Sequence, residues 1–255
     1  MNGVRLALHQ FRYDQKVFWR NPASVFFTVM LPLIFLFIFA TIFGNDEIAD
    51  RGVNTTTYYV PAIISLAVIS ATLQNLANNL TQDRERGLLK RARGTPLPPQ
   101  DFVAGRVGNS LVVSVLMVVL VAVIGRIVYD VEIPTTTLPA VALTLAVGAF
   151  TFCCLGFALT AAIPSEDAAP AISNAVVLPL YFISGIFIPD NEIPEGVLSF
   201  ADIFPIRHFF QAFFEAWDPS TAGAGFEWGD LAIVAAWGIA GLLVALFAFR
   251  WEPRR

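Results

Sequence analysis

The sequence predicts an all-α integral membrane protein with six transmembrane helices, an interfacial amphipathic helix ahead of them and re-entrant helices after the fifth. Composition is the first reason. Of 255 residues, 56% are hydrophobic and only 14% charged, with a mean hydropathy of +0.65, whereas soluble domains carry about 25% charged residues. Apolar runs near the ~20 residues needed to cross a bilayer are the second reason. The third is the segregation of basic residues by position, which the net charge of −4 conceals.

The first element is residues 3–20, GVRLALHQFRYDQKVFWR. Arg5, His9, Arg12, Lys16 and Arg20 recur at helical spacing and form one basic face, while Val4, Leu8, Phe11 and Phe18 face away. Such a helix is expected to lie along the membrane surface with its cations at anionic lipid headgroups. His9 sits on the polar face with no neighbours that would give it chemistry.

The spans are expected at 24–43, 57–79, 107–129, 138–163, 169–189 and 231–249. The first is read as retained, because its apolar core exceeds the roughly 7–15 residues of a signal peptide. Pro32, Pro61 and Pro179 fall within or near spans, where neighbouring helices satisfy the freed carbonyls and kinks result. Cys153 and Cys154 are adjacent inside the fourth run and read as small buried hydrophobes, not as a disulfide or metal pair.

Orientation follows from Lys and Arg. With both termini cytoplasmic, four basic residues precede the first span, six lie between the second and third, and three follow the last. Only Arg51, Arg126 and Arg207 remain outside, with thirteen of the twenty acids.

Between the second and third spans, 80–101 is the largest cytoplasmic loop and holds Arg84, Arg86, Lys90, Arg91 and Arg93 against Asp83 and Glu85. Gly87 interrupts the helix leaving the second span, Leu88 and Leu89 offer an apolar contact, and Gly94, Pro96, Pro98 and Pro99 stop helix before the next begins. A topology signal needs charge alone; this placement of glycine, leucines and prolines reads as a rigid docking knob. After the fifth span, 190–228 is punctuated by prolines and rich in phenylalanine. It is too apolar for a water-exposed loop, and is expected to dip back into the outer half of the membrane as broken helices.

These segments resemble the permease subunits of type-2 ABC exporters, the family of daunorubicin-resistance-type drug permeases and of polysaccharide and teichoic-acid exporters. The resemblance rests on Glu85-Arg86-Gly87 with Thr95-Pro96-Leu97, and on Ser184-Gly185 with Pro189 and Pro194, and covers nearly the whole chain. Leu88 and Ala92 depart from the family pattern, which commonly has threonine and a bulkier apolar residue there. The resemblance implies an ATPase-coupling set of Arg84, Glu85, Arg86, Gly87, Leu88, Leu89, Arg91, Thr95 and Pro96. It also implies an outer gate or re-entrant set of Asn174, Pro179, Ser184, Gly185, Pro189 and Pro194. Two permease copies, as a homo- or heterodimer, would pair with two ATP-binding subunits, with dimer contacts on spans five and one; Gly148 and Gly156 in span four offer an alternative seam.

The chain contains no G-x-x-x-x-G-K-[ST] phosphate loop, so it is expected to be a transport subunit, not an enzyme. ATP and Mg are expected on the partner, with no cofactor, metal or nucleic acid bound here. An intramembrane enzyme or an ion-coupled secondary transporter would place acids or histidines at mid-span, where this sequence has Ser65, Ser70, Asn109, Ser110, Ser114, Ser173 and Asn174. A weakly polar path suits an amphiphilic drug, lipid or glycolipid moving out through a prokaryotic plasma membrane.

Overall fold

The computed structural model describes residues 3–43, 47–48, 53–94, 98–218, 221 and 223–249. Helix follows helix: α1 (Gly3–Trp19), α2 (22–43), α3 (Thr55–Glu85), α4 (Leu88–Arg93), α5 (Pro99–Tyr129), α6 (Leu138–Ala162), α7 (Ala168–Ile183), α8 (Glu195–Ala201), α9 (Pro205–Trp217) and α10 (Trp228–Ala248). A two-residue antiparallel pair, β1 (Glu47–Ile48) with β2 (Val53–Asn54), joins α2 to α3.

Among the described residues, four helices are long and apolar enough to cross a membrane: α3, Gln100–Tyr129 of α5, α6 and α10. The other two expected spans contain shorter apolar helices, Thr28–Ile42 and Ala168–Ile183. At 16 residues, α7 rises only about 24 Å. It stops ahead of Pro189 because Gly185 takes a left-handed turn, φ +89°. In contrast, α5 runs 31 residues, about 46 Å, so its first turns extend beyond the expected span.

The centre of the bundle is α3, apolar on every side and buried from Tyr58 to Ile69, as a helix without a polar face must be. A π-helical turn, Ser70–Gln74, interrupts it, and a second, Phe26–Met30, lies in α2. Nearly every side chain of α9 is buried, among α3, α6 and α10. Glycines permit this packing: a Cβ on Gly148 would meet the Phe209 ring at 2.1 Å, and one on Gly156 the Leu73 carbonyl at 3.0 Å. Both are occupied within the chain, which removes them as a seam between copies.

Candidate coupling site

The segment after α3 turns where expected: Gly87 has φ +70°, and α4 follows at once. Its residues do not form one exposed knob. Arg84 is fully buried, donating to the carbonyls of Thr160 at 2.9 Å and Ile163 at 2.8 Å, with Nε on Glu85 at 3.0 Å. The last carbonyls of a helix lack internal partners and carry partial negative charge, and the flat guanidinium fork satisfies two together. Arg84 therefore staples the end of α3 to the end of α6. Arg86, largely exposed, reaches Glu166 at 3.1 Å in the turn between α6 and α7. Ser165 in that turn accepts the Ala168 amide at the start of α7.

The leucine pair splits. Leu89 is 1% exposed, packed with Leu76, Leu80, Phe102, Cys153 and Phe157, whereas Leu88 is 41% exposed. Helical geometry turns consecutive residues about 100° apart, so both cannot share a face. Arg91 is exposed with Leu88, and Gly94 lies beyond it. Thr95 and Pro96 lie outside the described residues.

Beside this segment, α1 packs on α5. A Cβ at Gly105 would meet Gln10 at 2.7 Å, so the two helices touch there at backbone distance. At the next residue, Arg106 of α5 lies between Asp14 of α1 at 3.5 Å and Asp83 of α3, which accepts its hydrogen bond, and it covers the Phe102 ring. Gln10 also donates to Asp14 at 3.0 Å. Burial raises the Asp14 pKa, and Arg106 and Gln10 oppose the shift. Arg5, Arg12, Lys16 and Arg20 are exposed as expected. The face expected to enter lipid is divided: Leu8 is exposed, while Phe18 is buried against Ala71 and Val113.

A polar ladder joins α3 to α7. Asn78 meets Ser173 at 3.0 Å, Gln74 donates to Asn174 at 2.8 Å, and Ser70 meets the Tyr181 hydroxyl at 3.2 Å. The π turn puts Ser70 and Gln74 on this side, and Asn174 is exposed. Asn174 thus sits about 15 Å of helix rise from Ser184 and Gly185, so the structure does not bring it together with the rest of the gate set. Pro179 is exposed on α7 and Pro194 is exposed ahead of α8. Ser184 is buried, Pro189 precedes the short turn Asp190–Glu192, and the Gly185 carbonyl accepts from Tyr58.

Near Gly185, Arg207 binds Asp190 at 2.8 Å and Asp202 at 2.7 Å. His208 Nε2 faces the Asp202 carbonyl at 2.8 Å and Nδ1 the Asp230 carboxylate at 2.6 Å. A carbonyl only accepts, so Nε2 donates to the Asp202 carbonyl. These contacts anchor the start of α9 to α10. Among the described residues no group of three metal-ligating side chains occurs.

Residues 9–216 match the ABC-2 type transporter membrane family. The chain belongs to this family. A Bacillus subtilis protein described as a transport permease, YvfS, is 22% identical over 93% of this chain and 94% of its own. The daunorubicin resistance ABC transporter permease protein DrrB1 of Streptomyces coeruleorubidus is 25% identical over 73% of this chain and 66% of its own. The inner membrane transport permease YadH of Escherichia coli K12 is 23% identical over 87% and 84%. As an ABC-2 permease the chain is a multi-pass plasma-membrane subunit that works with an ABC ATP-binding partner. Sequence reasoning missed Asp14 and Gln74; the acid's helical spacing to Gln10 and Phe18 is the signal that could have found the first.

Proposed function

We propose that two copies of this permease, with two ATP-binding subunits that bind ATP and Mg, export an amphiphilic drug, lipid or glycolipid. Both termini lie in the cytoplasm, and the segment 86–93 receives the partner's movement. The observation that supports this reading best is the exposed rung Gln74–Asn174. An amide pair on a helix face is costly against acyl chains and suits a face that meets a second copy or a passing polar headgroup. The ladder is uncharged, which favours an amphiphile over a coupled ion. The likeness to DrrB1, a daunorubicin resistance permease, favours the same class.

The α8–α9 segment is read as re-entrant, held inside protein by Arg207 and His208. Co-purification of this chain with its ABC ATP-binding partner, and assay in lipid nanodiscs, tests the reading. The expected result is ATPase activity stimulated by daunorubicin-like amphiphiles and reduced when Gln74 and Asn174 are both replaced by leucine. Activity indifferent to amphiphiles and to both replacements contradicts it.

A further inference from the structure

Arg106 stands among three elements: α1 through Asp14, the end of α3 through Asp83, and its own helix α5. Beneath its guanidinium lies Phe102, in the same apolar cluster as Leu89 of α4. A positive-inside topology signal needs none of this. It needs a cation on the correct side, not one that is 12% exposed between two carboxylates.

Asp14 sharpens the point. It is 3% exposed, and among the described residues its Oδ2 has no hydrogen-bond partner. Burial raises its pKa despite Arg106 and Gln10, so holding it ionised opposes folding; asparagine would fit the same space and still accept from Gln10. A carboxylate kept there against its own stability is explained if its charge is what joins α1 to Arg106. The close approach at Gly105 then fixes the distance, and α5 continues unbroken to Tyr129.

We propose that Arg106 is a positioning residue that clamps α1, the end of α3 and the start of α5 into one unit. Movement imposed on the segment 86–93 is thereby carried to the surface helix and to α5 together. The transmission half of this inference rests on the coupling role proposed above; the clamp itself does not.

The test uses the whole permease–ATPase complex in nanodiscs, with Cys153 and Cys154 replaced by alanine and spin labels on cysteines at His9 in α1 and Arg91 in α4. Pulsed electron-spin distances are recorded without nucleotide and after trapping with ATP and vanadate. The clamp predicts one narrow peak, the same in both states. Asp14→Asn is expected to melt at the same temperature or higher, yet lose that single narrow peak and become nucleotide-dependent. Arg106→Met should do the same, and the double variant should add nothing, because both act through one contact. An unchanged narrow peak in Asp14→Asn and Arg106→Met, or additive broadening in the double variant, overturns the clamp. Broadening in the variants with no nucleotide effect in any of them overturns transmission from the ATPase and leaves the clamp standing.

Discussion

The two ends of the bundle are held by different chemistry. At one end, around Arg84, Arg86 and Arg106, the contacts are ion pairs and charged hydrogen bonds between helix ends, several of them partly open to solvent. At the other, Phe209, Phe210, Phe213, Phe214 and Trp217 of α9 are buried against α3 and α6, with rings 5–6 Å from one another and from Tyr58 and Phe152. Exposed ion pairs are worth about 0–1 kcal/mol each, so they can exchange partners at little cost. Interlocked aromatic rings resist piecemeal rearrangement, because cores pack at crystal density. Rearrangement on partner binding is therefore expected at the exposed Arg86–Glu166 pair, with the Arg106 contacts and the aromatic end each moving as a block.

Within the charged end the contrast is sharper still, and it sets the largest expected effect. Arg84→Ala leaves Glu85 unpaired and strips the end of α6 of its donors. Loss of one partner from a buried charged contact costs about 3–5 kcal/mol, and thermal unfolding in detergent should show it as a large fall in melting temperature. Next comes the aromatic end: Gly148→Leu forces side-chain atoms into the Phe209 ring, and overpacking of this kind costs about 1–3 kcal/mol. The same melting experiment checks it. Smallest is Arg86→Ala. Its pair with Glu166 is exposed on both sides, so stability should change by less than about 1 kcal/mol. A fall as large as that of Arg84→Ala would erase the distinction drawn between the two arginines.

Much of the helical order was legible in the sequence, since apolar runs and turn residues are local signals. Gly87 was legible as an interruption, and it adopts left-handed backbone. Arg84 was not. In a run of cations it reads as solvated, and its burial depends on carbonyls some 76–80 positions away. The π turn at Ser70–Gln74 was equally hidden, because α3 is apolar all round and has no stripe whose phase could reveal an extra residue. The early end of α7 follows from Gly185, yet the apolar run continues through Ile186, Phe187 and Ile188, so hydropathy alone extends the helix too far. Leu88 and Leu89 were paired because both are apolar, when only their angular separation decides which one faces the interior.

That separation leads to the most direct test of the account, in which Leu88 and Arg91 form the surface that meets the ATP-binding subunit while Leu89 and Arg84 hold that surface in place. Single cysteines at Leu88, at Arg91 and, as a control at the opposite end of α5, at the highly exposed Asp130 would each be treated with a short bifunctional crosslinker in membranes containing both subunits. The account predicts crosslinks to the ATP-binding subunit from Leu88 and Arg91 and none from Asp130. A partner that co-purifies with the permease yet crosslinks from neither Leu88 nor Arg91 would contradict it.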